Sequence, residues 1–212
     1  MMIKKIREES RKLFSEKNGS HGWEHTLRVY NLAVHIGKKE NADLKILETA
    51  ALLHDIARHK EDLSDGKIDH AKEGALMAEK ILKKHGFSKD EIEKIKHCIV
   101  SHRFRGKNIP KSKEAKILFD ADKLDSIGAV GIGRTFLFAG EIGARLQNSP
   151  GINIEKTKPY SKEDTGYREF VVKLSKIRAR MLTREGKKLA GERHKFMVEF
   201  FDRFNKEISG NL

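Results

Sequence analysis

The stretch LKILETAALLHDIA, residues 44–57, decides the fold. Its apolar positions Leu47, Ala50 and Ala51 recur at the three-and-four spacing of one helix face, and His54 falls next on that face. A histidine that ends an apolar stripe is expected to point into a core. Ala50, Ala51 and Ala57 are small enough to let neighbouring helices come close. Asp55 follows at once, about 100° further round the helix, so both side chains reach one ion only if it lies near the helix surface between them.

The same period governs the flanking sequence. Val29, Leu32, Ala33 and Ile36 form a stripe over residues 25–39, and Gly74, Ala75, Ala78, Ile81 and Leu82 form another over 69–85. Ser88 and Glu91 make a capping box ahead of a helix striped by Ile92, Ile95, Ile99 and His102. A further helix carries Leu118, Ala121, Asp122 and Asp125 on one face. A glycine-rich run, 128–133, precedes a helix over 134–146 and a polar loop over 147–165. Two amphipathic helices are expected over 167–208, broken near 183–186. Alternating strands and internal repeats are absent from the pattern. The expected class is all-α: a single-domain helical bundle over residues 1–212, with residues 135–212 packing on the helices of about 20–135.

At 212 residues, with 38% hydrophobic and 35% charged residues, the chain can bury one core beneath a heavily charged surface. No apolar run approaches a membrane span. Residues 1–14 are charged and amphipathic without the apolar block of a signal peptide. Cys98 is the only cysteine, which excludes an internal disulfide and a thiolate zinc cluster. A cytoplasmic location is the expectation. The net charge of +13 attracts anions, nucleotides and nucleic acid among them. An interspersed Lys/Glu surface of the kind found in heat-adapted proteins explains the composition equally well.

The chemistry lies in a scattered set: His25, His54, Asp55 and Asp122. Two imidazoles and two carboxylates suit one hard-to-borderline divalent cation, whether Mn, Mg, Ni, Co, Fe or Zn. Such an ion activates water and grips phosphate, so convergence of the four would imply a metal-dependent phosphohydrolase. Asp122 beside Leu118 and Ala121 on an apolar face is costly unless it is paired or metal-bound. Asp125, one turn later, is expected to orient a histidine or a water. Arg103, Arg105 and Lys107 form a basic loop after His102 and are candidates for substrate phosphate. HGWEH, residues 21–25, also fits a zinc-protease pattern, but that reading leaves His54, Asp55 and Asp122 without a role. Gly128, Gly131 and Gly133 have the wrong order for a dinucleotide loop and follow no strand, so close helix packing accounts for them better.

The motifs HTLRV at 25–29, LHDI at 53–56 and DADKLD at 120–125 resemble the HD-domain phosphohydrolase superfamily. HGWEH at 21–25, DHA at 69–71, SHRFR at 101–105, IGAVGI at 127–132, MLTREGKKLA at 181–190 and RHKFM at 193–197 look like its small stand-alone YedJ-like branch. The resemblance covers nearly the whole chain. It implies an all-helical HD-type fold, His25, His54, Asp55 and Asp122 as metal ligands, and hydrolysis of a phosphoester or phosphoanhydride, often in a nucleotide. Because some relatives bind two ions through extra histidines, His70 and His102 become candidates for a second metal or for the pocket. Some relatives carry a catalytic acid three residues after the HD aspartate. Here Arg58 stands in its place, which counts against a nucleoside-monophosphate phosphatase and suits phosphate binding. His21, Glu24 and His70 are candidates for the general acid or base. The alternative is a nucleotide- or nucleic-acid-binding module with a structural or regulatory HD metal site and no turnover. It lacks support from any aromatic-rich basic strand.

Overall fold

The computed structural model describes residues 2–14, 22–64, 66–103 and 108–211. Every regular element among them is helical, as the periodicity implies. The chain divides into two compact units, Met1–Asp122 with Leu182–Gly186, and Lys123–Met181 with Lys187–Leu212.

The first unit holds α1 (Met2–Arg11), α2 (Trp23–Glu40), α3 (Leu44–Leu53), α4 (Arg58–Leu63), α5 (His70–Lys84), α6 (Lys89–Ser101) and most of α7 (Lys113–Leu124). Helix α3 is its axis and packs on α1, α2 and α6; α5 packs on α6 and on α4. That place follows from composition, because a helix that is apolar nearly all round must be surrounded. Leu47, Ala50, Ala51, Leu52 and Leu53 are fully buried, and each buried leucine contributes about 1.5–3 kcal/mol of transfer free energy. Polar contacts fix the neighbours: Ser10 Oγ donates to the Leu52 carbonyl at 2.5 Å, and Tyr30 Oη donates to the Glu48 carboxylate at 3.0 Å.

Local capping starts the helices where the sequence allows it. Asp43 receives the Ile46 N–H, Asp69 receives those of Ala71 and Lys72, and Ser88 and Glu91 form the reciprocal capping box. One boundary departs from expectation. Helix α3 ends at Leu53, not Ala57, so His54 and Asp55 lie in the turn between α3 and α4. His54 itself closes the helix, its Nδ1 lying 2.8 Å from the Ala51 carbonyl, one of the acceptors that a helix end leaves unpaired. Asp120 is a fully buried acid. Its carboxylate receives the N–H groups of Leu182 and Thr183 and the Thr183 hydroxyl.

The second unit contains α8 (Gly128–Glu141), α9 (Gly166–Val172) and α10 (Arg184–Ile208) after its first turn, with three short 3-10 turns. Its core is aromatic: Phe136, Tyr167, Phe170 and Phe204 surround Phe201. Buried Arg168 anchors the preceding loop through Asp164 and Thr157. Three boundaries differ from the sequence reading, one of them the end of α8 at Glu141 rather than 146. Helix α8 begins at Gly128, inside the glycine run, because those glycines serve close approach. Gly128 has φ +80° and lies against Arg193, and a Cβ on Gly131 would meet the Ser126 carbonyl oxygen at 2.4 Å. The break between the last two helices covers 173–183, earlier than expected, since α9 stops at Val172 and gives way to 3-10 turns. Among the described residues no helix is long and apolar enough to cross a membrane.

Candidate metal centre

The first unit gathers histidines and carboxylates from distant parts of the chain into one buried cluster. His25 comes from the first turn of α2, His54 and Asp55 from the end of α3, and Asp122 from the last turn of α7. His25 Nε2 stands 3.3 Å from Asp122 Oδ1 and 3.6 Å from Asp55 Oδ2, and His54 Nε2 stands 3.6 Å from the same Asp55 oxygen. Donors bound at about 2.0–2.2 Å to one ion stand about 3–3.5 Å from each other. The separations are close to that range. Because Asp55 leaves the helix at the turn, its carboxylate reaches between two histidines from different elements.

The other oxygen of Asp55 faces a second group. Asp55 Oδ1 lies 3.2 Å from His70 Nε2 and 3.4 Å from His102 Nε2, and the two imidazole nitrogens are 3.3 Å apart. The three atoms form a nearly equilateral triangle. His102 closes α6 as His54 closes α3, with Nδ1 2.5 Å from the Ile99 carbonyl. His70 is the first residue of α5, and its Nδ1 meets the Glu61 carboxylate. In His54, His70 and His102, then, Nδ1 faces an oxygen that can only accept. Each Nδ1 must carry the proton, which leaves the Nε2 lone pair turned inward.

The electrostatics follow. His54 is fully buried, and burial pushes its pKa down to about 4, so it is a neutral donor at neutral pH. Its Nε2 is buried without a hydrogen-bond partner among the described residues. Burial alone would raise Asp55, but His54, His102 and His70 hold its carboxyl well below the usual range. His70 is raised: burial opposes its charge, and Asp55 and Glu61 outweigh it. A proton toward Asp55 can relieve His70, but the buried His54 Nε2 has no hydrogen-bond partner among the described residues, and buried donors gathered like this are costly unless they are paired or hold a cation. A divalent ion therefore suits both groups, His25–His54–Asp122 and Asp55–His70–His102, each of which has the spacing of a metal site.

The remaining candidates are placed differently. Arg58 begins α4, partly exposed, with Nε 3.4 Å from Asp62. Arg103 is already engaged by Glu61 at 2.9 Å and Asp69 at 3.2 Å. Glu24 is exposed on the first turn of α2. Asp125 belongs to the second unit, where it accepts Arg134 Nη1 at 2.7 Å. His21, Arg105 and Lys107 lie outside the described residues. Sequence reasoning missed Glu61. Helix α4, RHKEDL, has no apolar stripe to single out one face, so this acid reads as surface charge.

Known proteins share this fold. The sequence profile described as HD domain matches residues 22–127. The uncharacterized protein YpgQ of Bacillus subtilis is 38% identical over 210 residues, covering 97% of this chain and 93% of its own. The crystal structure of YpgQ in complex with ADP superposes with a TM-score of 0.74 at 32% identity, covering 99% of this chain and all of that one. An HD-superfamily hydrolase from Bacillus thuringiensis gives a TM-score of 0.76 at 31% identity, covering 98% and 96% of the two chains.

Proposed function

The chain belongs to the HD domain family, and from that premise we propose that it is a metal-dependent phosphohydrolase that cleaves a phosphoester or phosphoanhydride bond in a nucleotide. The observation that carries this reading is the convergence of inward-facing donors around Asp55, whose two oxygens serve separate histidine groups. The ADP in the YpgQ complex supports a nucleotide. The lone, buried Cys98 fits a reducing, cytoplasmic setting.

His25, His54, Asp55 Oδ2 and Asp122 would hold one divalent ion; Asp55 Oδ1, His70 and His102 would hold a second. When bound, such ions supply a water of lowered pKa and compensate charge on a phosphoryl oxygen. The chain does the rest. Carbonyl-anchored His54 and His102 keep their lone pairs fixed. Arg58 is the readier phosphate partner, since Arg103 would first have to leave Glu61 and Asp69; Arg105 is a further candidate from the sequence alone. A proton for the leaving group would come from His21 or Glu24, because His70 is occupied on both ring nitrogens.

The test is a panel of nucleotides with Mn, Mg, Ni or Co, scored for orthophosphate and pyrophosphate. Turnover that His54→Ala abolishes is the expected result. Salt-sensitive oligonucleotide binding with no turnover under any metal would replace this reading with that of a binding module, which the +13 charge would then explain.

A further inference from the structure

Glu61 stands beside the cluster and is held by several partners at once. Its Oε2 meets His70 Nδ1 and also accepts the His70 backbone N–H at 3.2 Å. That N–H is one of the orphan donors at the start of α5. A single oxygen thus grips both the main chain and the ring of one residue, which fixes the ring's direction. Its other oxygen accepts Arg103 Nη2 at 2.9 Å, and Arg103 Nη1 lies 3.2 Å from Asp69, the residue that caps α5. Glu61, His70, Asp69 and Arg103 therefore close a ring of contacts around the first turn of α5.

We propose that Glu61 is the positioning residue for His70, and that Arg103 is the clamp that holds Glu61 in place rather than a free ligand for substrate. A carboxylate that meets His70 Nδ1, the His70 backbone N–H and Arg103 Nη2 at once is held in one orientation as an acceptor. With Nδ1–H donated to Glu61, His70 presents a bare and more basic Nε2 to Asp55 Oδ1 and His102. Glutamine at this position keeps one acceptor oxygen where glutamate has two, and a neutral one, so it can meet the His70 donors or Arg103 but not both. The grip on the His70 ring weakens, and with it the basicity of Nε2. His54 and His102 escape such tuning, because backbone carbonyls hold them.

The inference rests on the two-ion reading in one respect: it takes the Asp55–His70–His102 group to hold a cation. Metal-free wild type, Glu61→Gln, Glu61→Asp, Arg103→Lys and His70→Ala are each titrated with Co(II), and the low-field imidazole N–H resonances are recorded on the Zn(II)-loaded proteins. Wild type is expected to take up two ions. Glu61→Gln should keep the first and bind the second about 10–100-fold more weakly. Glu61→Asp, which keeps the acceptor, should recover part of the loss, and Arg103→Lys should lose less than Glu61→Gln. The N–H resonance absent from His70→Ala should move upfield in Glu61→Gln. Second-ion affinity and resonance both unchanged in Glu61→Gln would overturn the proposal. One ion in wild type, bound as tightly by His70→Ala, would sink the two-ion reading instead; the resonance alone would then decide for or against Glu61.

Discussion

The two halves of the histidine cluster are built on different principles. In the His25–His54–Asp122 half, His54 is oriented by the backbone of its own helix, through the Ala51 carbonyl three residues back. In the other half His102 repeats that device on Ile99, but His70 depends on the side chain of Glu61. A histidine at a helix C-cap carries its own orientation wherever the helix goes. A histidine at a helix start has no free carbonyl behind it and must borrow an acceptor from elsewhere. The first arrangement is hard to alter by substitution, and the second is open to tuning.

Asp55 belongs to both halves, so its removal should have the largest effect. Asp55→Ala is expected to lose metal from both, measured by elemental analysis after desalting, with hydrolysis falling by on the order of 10³-fold or more, the scale of deleting a charge-stabilising group from a site. Retention of one full ion would break the idea of a shared carboxylate. Next come the single-half variants. His54→Ala should lose the ion held with His25 and Asp122, and His102→Ala only the other; equal losses from both variants would mean the halves are not separable.

Asp120 sharpens the contrast, because it lies two positions from Asp122 but serves the fold. Asp120→Ala leaves the Leu182 and Thr183 donors unmatched and should cost about 2–4 kcal/mol in urea unfolding while metal content per folded chain stays unchanged. The smallest effect concerns His97, whose Nε2 accepts the Lys111 N–H at 3.0 Å. Burial, and then Lys111, lower its pKa below the ordinary imidazole value. The unfolded chain therefore binds the proton first as pH falls. Stability from this contact is present above the unfolded value of about 6.5 and declines as pH drops from there toward the lowered folded pKa. His97→Gln should flatten that part of the stability–pH curve; an unchanged slope would count against the contact.

Much of this was legible in the sequence, and the residues say why. Ser88 with Glu91, and the stripes of α2, α5 and α6, are local signals that structure obeys locally. His54 and Asp122 stand out in the sequence because each falls on an apolar helix face, where a polar group is costly; His25 and Asp55 join them through donor chemistry and the HD-type motifs. The end of α3 was illegible, since Ile56 and Ala57 continue the apolar period while His54 closes the helix with its own ring. The start of α8 was hidden because glycines read as loop until Arg193 and Ser126 are seen pressing against them. Glu61 was hidden because its importance lies entirely in a partner nine residues on, across a turn.

The inward-facing donors are drawn from α2, α5, α7 and the ends of α3 and α6. A cation among them would be a clasp as well as a reagent, drawing together segments that the unfolded chain scatters. Stability would then rise with the free ion concentration, and its loss would loosen the whole first unit before any question of turnover arose. In a metal-starved cell the first casualty would be the number of surviving copies, cleared by proteolysis, rather than the speed of each.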